Sequence, residues 1–169
     1  IGLALQGSLS NFAGGVLILI FKPFRVGDYI HSDTGAVGDV EKIDILYTSL
    51  RNAEGLSVFV PNGPLANSVI SNYSTLDKRR IENQFILEHD TDIRIVRSQI
   101  LKVLNADPRI LKSPAPIIKI DKITELGVYV MVYFWTPKAH FGDVLNTSFE
   151  VLKESLEEAD VKFSLHPKM

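Results

Sequence analysis

An uncharged stretch at the start of the chain constrains the fold more than any other feature. Residues 1–21 contain no Asp, Glu, Lys or Arg, and the first charged residue is Lys22. As an α-helix, a stretch of this length would rise about 31 Å, which is close to the thickness of a bilayer's hydrocarbon core. Pro23 follows directly and is expected to end the helix, because proline lacks the amide donor that a helix needs.

Small and polar residues interrupt this stretch in a helical pattern. At about 100° per residue, a narrow stripe of small side chains runs beside a stripe of bulky apolar ones. The small stripe holds Ala4, Ser8, Asn11 and Gly15, and the bulky stripe holds Leu5, Leu9, Phe12, Val16 and Leu19. Because small residues let helix backbones approach closely, the pattern favours a membrane helix packed against copies of itself. A buried helix of a soluble protein stays open as the alternative.

Short strands follow the helix. Between about residues 24 and 73, turn signals separate four or five short apolar segments. This spacing predicts a small closed or nearly closed β barrel, because closure hides strand edges from other chains. Gly38 lies inside one strand pattern and indicates a bulge or sharp bend there.

The remainder of the chain predicts a second folded module with alternating strands and helices. From residue 78 the order of elements is β-α-β-β-α-β, which is the ferredoxin-like arrangement of two helices on one face of an antiparallel sheet. An aspartate or threonine at residues 90–92 is expected to cap the first helix. The second helix is predicted over residues 142–159, with Leu145, Phe149, Leu152 and Leu156 facing inward, and a last strand is predicted over residues 161–165.

Composition and motifs argue against catalysis. The chain has no cysteine, which excludes disulfides, thiolate zinc sites and cysteine nucleophiles. The histidines are far apart in sequence, and no phosphate-binding loop, dinucleotide fingerprint or serine-nucleophile motif is present. We therefore predict no catalytic, cofactor-binding or metal-binding site, and we do not expect an enzyme.

Five segments carry a resemblance to a known family. They are residues 2–11 (GLALQGSLSN), 13–16 (AGGV), 22–28 (KPFRVGD), 60–63 (VPNG) and 71–74 (SNYS). In this order they resemble the small-conductance mechanosensitive channel family, the MscS family. The resemblance covers nearly all of the chain. It implies a mixed fold, in which a membrane pore helix precedes an Sm-like small β barrel and an α+β ferredoxin-like domain.

The resemblance also implies domain boundaries and a function. Residues 1–22 correspond to the C-terminal part of a pore-lining transmembrane helix, residues 23–76 to the barrel and residues 77–169 to the ferredoxin-like domain. The implied protein is a mechanosensitive ion channel that membrane tension opens and that releases ions and small solutes on hypo-osmotic shock. The chain would be a fragment that lacks the first transmembrane helices.

Partners and location follow from the same resemblance. It implies a homo-oligomer, a heptamer around a hollow vestibule, whose partners are the lipid bilayer and the permeating ions and small solutes, with no nucleic acid and no cofactor. The channel would lie in the bacterial inner membrane, with residues from about 23 onward in the cytosol.

Roles for individual residues are carried over from the family position by position. Leu3 would form a hydrophobic constriction in the pore, and Ala4, Gly7 and Ser8 would let neighbouring pore helices pack and slide. Gly7 and Gly15 would be hinges of the helix. Asn11 would contact the barrel around Asn62 and Gly63.

An RNA-binding protein is the alternative, because Sm-like and ferredoxin-like modules both bind RNA elsewhere. The predicted strand over residues 128–135 carries the aromatic side chains of Tyr129, Tyr133 and Trp135, which could stack on bases. Against this stand a net charge of −2 and the lack of the basic, glycine-bearing motif of RNA-recognition domains.

Overall fold

The computed structural model describes residues 2–164, with side chains described from residue 5 onward. The side chains of Leu3 and Ala4 and the whole of Leu165 therefore lie outside the described residues. The chain divides into two compact units, Ile1–Leu76 and Asp77–Met169.

The first unit begins with helix α1 (Gly2–Phe21). The helix is continuous through Gly7 and through the Gly14-Gly15 pair. It ends where Lys22 adopts a left-handed conformation with a φ of 50° and Pro23 follows.

Within residues 2–164, no helix is both long enough and apolar enough to cross a membrane. The transmembrane helix predicted over residues 1–22 is therefore not seen in the described part of the chain.

A five-stranded antiparallel sheet forms the rest of the first unit. Its strands are β1 (Tyr29–Ser32), β2 (Val37–Ile43), β3 (Tyr47–Arg51), β4 (Ser57–Pro61) and β5 (Ile70–Asn72), in the order β4-β3-β2-β1-β5. A short helix α2 (Asn62–Ala66) lies between β4 and β5 in the chain. Ile18 of α1 and Phe24 are buried in the same core as the inward residues Ile30, Ala36, Val40, Leu50, Val60 and Leu65. Helix α1 and the sheet therefore share one hydrophobic core.

Gly38 has a different role from the predicted bulge. The register of β2 against β3 shifts between Val40 and Lys42, so the irregularity lies two residues further on. Gly38 itself has a φ of 151°, and a Cβ atom there would lie 2.3 Å from the carbonyl oxygen of Arg51. Only glycine allows the two backbones to approach this closely.

The second unit packs two helices on a three-stranded antiparallel sheet. In chain order its elements are β6 (Lys78–Leu87), α3 (Ile93–Ala106), β7 (Ile117–Thr124), β8 (Gly127–Pro137) and α4 (Phe141–Glu158), and the sheet order is β6-β8-β7. Val96, Ile100 and Leu104 of α3 are buried in the core. The inward residues of β8, which are Val128, Val130, Val132 and Phe134, are buried in the same cluster.

The predicted cap of α3 is confirmed at Asp92. Its carboxylate accepts a hydrogen bond from the backbone N–H of Arg94 at 2.9 Å, which satisfies one of the free donors at the helix start. The Arg94 side chain, which donates to the same carboxylate, is the main reason that the pKa of Asp92 lies below its usual value.

The predicted inward face of α4 is confirmed at Leu152 and Leu156 and differs by one residue at Leu145 and Phe149. The buried residues are Val144, Ser148, Leu152 and Leu156, whereas Leu145 is 44% exposed. A polar pair explains the rotation, because the Nδ2 of buried Asn83 donates to the Oγ of Ser148 at 3.1 Å. The predicted inward residue Phe149 is 45% exposed, although its ring stacks on Phe85 with centroids 4.9 Å apart.

The last predicted strand is reduced to one isolated antiparallel bridge in the described residues. Phe163 pairs with Leu87 at the end of β6. The backbone N–H of Ser164 also donates to the carbonyl of Ile86 at 2.8 Å. A strand over residues 161–165 is therefore not formed as predicted, and Leu165 falls outside the described residues.

Candidate helix-docking site

One face of helix α1 docks on the sheet-bearing part of its own unit. Asn11 is half-buried, while Gly14, Gly15 and Ile18 are buried. These positions are three or four residues apart or adjacent, so they lie on one side of an α-helix. We call this face, together with Asn62, Gly63 and the chain segment 44–48 that it meets, the docking site.

A side-chain-to-backbone hydrogen bond joins the two halves of the docking site. The backbone N–H of Gly63 donates to Asn11 Oδ1 at 3.0 Å. A Cβ atom at Gly63 would lie 2.7 Å from Ser10 Oγ and 2.9 Å from Asn11 Oδ1. Glycine at this position thus leaves room for α1 to approach, and the structure places Asn11 beside Gly63, the pair that the family resemblance names.

The Gly14-Gly15 pair provides the closest approach. A Cβ atom at Gly14 would lie 2.4 Å from the carbonyl oxygen of Asn62, and one at Gly15 would lie 2.4 Å from that of Ile45. Real Cβ atoms are not found so close to oxygen atoms of the backbone. The structure therefore gives Gly15 a packing role in addition to the predicted hinge, and it identifies Gly14, which sequence reasoning did not select.

Asn62 organises the surface on which α1 docks. It is fully buried, its Oδ1 accepts from Thr48 Oγ1 at 2.8 Å, and its Nδ2 donates to the carbonyl of Asp44 at 2.8 Å. Its backbone N–H donates to the carbonyl of Leu46 at 3.0 Å. Asn62 thus holds segment 44–48 against the start of α2 through its side-chain amide and its backbone N–H. Sequence reasoning missed Asp44 and Thr48, because neither has a local pattern that marks it as a partner of Asn62.

The chemistry of the docking site is packing and hydrogen bonding. Asp44 contributes its backbone carbonyl, while its carboxylate pairs with Lys42 Nζ at 2.8 Å on the surface. This hydrogen bond is the main cause that raises the pKa of Lys42. Within residues 2–164, no group of three or more His, Asp or Glu side chains is arranged to hold a metal ion.

The rest of α1 is exposed in the single chain. Gly7 and Ser8, predicted to pack against neighbouring helices, are exposed, and a Cβ atom at Gly7 would have no neighbour within 4 Å. The large apolar side chains at least 40% exposed on this helix are Leu5, Leu9, Phe12, Leu17, Leu19, Ile20 and Phe21. Such a large apolar surface is typical of a helix that other chains or lipid cover.

Asn11→Ala is expected to loosen α1 without unfolding the sheet. The substitution removes the acceptor of the Gly63 N–H, which costs about 1 kcal/mol of docking free energy. Amide hydrogen exchange at Gly63 should therefore become faster, while amides of β2 and β3 keep their protection. Gln6→Ala, at an exposed position of the same helix, is the matched control. Unchanged exchange at Gly63 in the Asn11 variant would contradict the assigned contact.

Two family models match the chain, one in each unit. The model described as "Mechanosensitive ion channel, beta-domain" matches residues 7–75. The model described as "Mechanosensitive ion channel MscS, C-terminal" matches residues 81–163. Together the two models cover nearly all of the chain.

Curated relatives agree with the family models. A small-conductance mechanosensitive channel from Edwardsiella ictaluri is 35% identical over 162 residues, a match that covers 95% of this chain and 56% of the relative. A small-conductance mechanosensitive channel from Helicobacter pylori is 33% identical over 135 residues, covering 80% of this chain and 49% of the relative. The chain thus spans about half the length of the curated relatives it matches.

Solved structures show the same fold. The crystal structure of Helicobacter pylori MscS in a closed state matches with a TM-score of 0.91 at 28% identity, over 99% of this chain and 66% of that chain. A cryo-EM structure of Arabidopsis thaliana MSL1 matches with a TM-score of 0.80 over 98% of this chain and 61% of that chain, and its 24% identity shows the fold alone. These matches lend no support to the RNA-binding alternative.

Proposed function

Since this chain belongs to the MscS family of mechanosensitive ion channels, we propose that a full-length subunit carrying it forms a channel that membrane tension opens. The open channel releases ions and small solutes on hypo-osmotic shock. The observation that carries the proposal is helix α1, which docks one face on its own β-domain and exposes large apolar side chains elsewhere. A family of channels, rather than enzymes, also agrees with the lack of a predicted catalytic site.

The proposed assembly is a homoheptamer in the bacterial inner membrane, with residues from about 23 onward in the cytosol. In it, α1 is the C-terminal part of a pore-lining helix, although its described residues do not by themselves make a membrane span. The exposed apolar side chains of α1 are available to contact neighbouring helices and lipid. Gly7 and Ser8 lie on the exposed part of the helix, where small residues permit close packing.

We assign the two units to an Sm-like barrel (residues 23–76) and a ferredoxin-like domain (residues 77–169). Five short antiparallel strands, with a short helix before the last, support the first assignment. The bridge of Phe163 to Leu87 supports the second, because it places Phe163 beside β6 and extends the sheet order β6-β8-β7 in the ferredoxin-like way.

The proposed gating mechanism is a two-state equilibrium. Tension favours the state with the larger in-plane area, because stretching the membrane lowers the free energy of that state relative to the narrow one. In the narrow state a ring of Leu3 side chains excludes water, and an ion entering the ring loses its hydration. The docking site fixes α1 on the β-domain, so that a tilt of the helix is transmitted to the sheet or breaks the contacts of Asn11, Gly14 and Gly15.

Leu3→Ser tests the proposed constriction in the full-length subunit. A hydroxyl ring holds water where a leucine ring excludes it, so the variant should conduct without tension and slow the growth of cells that express it. Patch-clamp recording from liposomes measures both the resting leak and the tension response. Leu56→Ser, at an exposed position outside α1, is the control for loss of a leucine. A wild-type protein without tension-gated current would refute the proposed function, and a Leu3 variant without leak would refute the constriction.

A further inference from the structure

We propose that Asn72 is a positioning residue that latches the exit of helix α1 to strand β5 and holds α1 in its resting position. The proposal rests on the proposed channel function, in which α1 moves when the pore opens. The latch consists of Pro23, Asp28, Asn72 and Ser74. It shares no residue with the docking site.

The Asn72 side chain reaches two groups just after α1. Its Nδ2 donates to Asp28 Oδ2 at 2.8 Å and to the carbonyl oxygen of Pro23 at 3.2 Å. Pro23 is two residues beyond the end of α1. Its carbonyl therefore moves with the end of the helix, while Asn72 belongs to the sheet.

Asp28 anchors the other side of the latch. The same carboxylate oxygen that accepts from Asn72 also accepts the backbone N–H of Arg25 at 2.9 Å. The carbonyl of Asp28 accepts the N–H of Val40 at 2.8 Å, which joins it to β2. The turn from α1 into β1 is therefore held by the Asp28 carboxylate, and Asn72 ties this turn to β5.

Ser74 sets the orientation of the Asn72 amide. The backbone N–H of Ser74 donates to Asn72 Oδ1 at 2.9 Å, so the amide oxygen faces Ser74. The NH2 group must then point to Pro23 and Asp28. Ser74 Oγ in turn accepts the backbone N–H of Tyr29 at 2.9 Å, which fixes Ser74 on β1.

The position of the latch in the chain makes it more than a local brace. Strand β5 is three residues long and pairs with β1 alone in the described sheet. The chain leaves the first unit shortly after β5, at Leu76. The latch is thus the point at which the end of α1 is bonded to the segment that leads out of its unit. A displacement of α1 must carry β5 along or break the two hydrogen bonds of Asn72.

Four variants of the full-length subunit separate the latch from general stability. Asn72→Asp places a carboxylate oxygen against the Asp28 carboxylate and the Pro23 carbonyl, and removes both donated bonds. Asn105→Asp, the same substitution at an exposed position of the second unit, is the matched control. Asp28→Asn is the partner change, and the double variant restores a donor at position 28 for an acceptor at position 72, but not the bond to Pro23.

Two measurements decide the proposal. In detergent, Asn72→Asp should speed amide exchange at Arg25 about fivefold or more, the factor that corresponds to the loss of one ordinary hydrogen bond, while β2 and β3 stay protected. In patches, the tension that opens half of the channels should fall in Asn72→Asp, with Asn105→Asp close to wild type and the double variant between wild type and Asn72→Asp. The assembled mass of each variant is checked first.

The outcomes are distinguishable. Wild-type exchange at Arg25 in the assembled Asn72→Asp protein overturns the latch. Faster exchange with an unchanged tension response also overturns it, because the contact then has only a structural role. A wild-type protein without any tension-gated current refutes the proposed function, and the exchange measurement still shows whether Asn72 fastens the exit of α1.

Discussion

Gly15→Ala is expected to push helix α1 off the β-domain, whereas Gly7→Ala is expected to stabilise the helix. Alanine has a higher helix propensity than glycine by roughly 1 kcal/mol, so both changes should favour the isolated helix. At Gly7 a Cβ atom meets nothing within 4 Å in the single chain. At Gly15 it would lie 2.4 Å from the carbonyl oxygen of Ile45. The same glycine-to-alanine change at these two positions should therefore change the free energy of unfolding of the first unit in opposite directions.

The clash at Gly15 is costly because its partners are held in place. The carbonyl of Ile45 belongs to segment 44–48, which buried Asn62 holds through Asp44 and Leu46. Overpacking in such a rigid place costs about 1–3 kcal/mol, which exceeds the gain in helix propensity. We expect Gly15→Ala to lower the free energy of unfolding of the first unit and to speed amide exchange at Gly63.

Denaturant unfolding of the full-length subunit in detergent, combined with hydrogen exchange, measures both effects. Gly14→Ala should act like Gly15→Ala, because its Cβ would lie 2.4 Å from the carbonyl oxygen of Asn62. If Gly15→Ala instead stabilised the protein as much as Gly7→Ala, the close approach of α1 to segment 44–48 would be wrong, and Gly15 would have only the predicted hinge role.

Features of the fold that depend on local sequence patterns could be predicted from the sequence. Alternating apolar residues and turn signals indicated short strands between residues 24 and 73 and mixed strands and helices from residue 78, because strand periodicity and turn chemistry are local properties. The cap of α3 at Asp92 was also predicted. Leu152 and Leu156 of α4 were predicted correctly, whereas Leu145 and Phe149 were each one residue away from the buried Val144 and Ser148. Ser148 accepts a hydrogen bond from buried Asn83, which lies in a distant part of the chain.

The docking site was only partly predictable for the same reason. Asn11, Asn62 and Gly63 came from the family resemblance, as did Gly15 as a hinge, whereas Gly14 was not selected. The role of Thr48 depends on a hydrogen bond between residues 14 positions apart. Gly38 similarly depends on the approach of Arg51 from the neighbouring strand. Such pairings arise from the register of the folded sheet, which a single sequence does not state.

Asn62→Asp is expected to be the most damaging single polar substitution in the first unit. It replaces the Nδ2 donor by a carboxylate oxygen that faces the carbonyl of Asp44, now 2.8 Å from that nitrogen. The side chain is fully buried, so the new charge has no water. An uncompensated buried charge of this kind costs about 3–5 kcal/mol. The first unit should therefore be largely unfolded or undocked at neutral pH.

The pH dependence identifies the cause. Burial raises the pKa of the new carboxyl above the ordinary value for aspartate of about 3.9, because the folded state favours the neutral form. Below about pH 3.9 both states are protonated, and the proton can donate to the Asp44 carbonyl as the amide did. As the pH rises, the unfolded state loses its proton first, so the free energy of unfolding of the variant falls until the folded carboxyl also ionises. The wild-type protein lacks the new carboxyl and should not show this fall in the free energy of unfolding.

Asn67→Asp is the control, since Asn67 is exposed and its Nδ2 donates to the carbonyl of Gly63 at 2.8 Å. There the new carboxylate stays hydrated, and we expect a change within about 1 kcal/mol without the same fall at rising pH. Denaturant unfolding at several pH values compares the two variants directly. If Asn62→Asp were equally destabilised at all pH values, loss of shape rather than buried charge would be responsible. If it were as stable as wild type at neutral pH, the amide of Asn62 would not hold segment 44–48 in place, and the surface on which α1 docks would have to be held by other contacts.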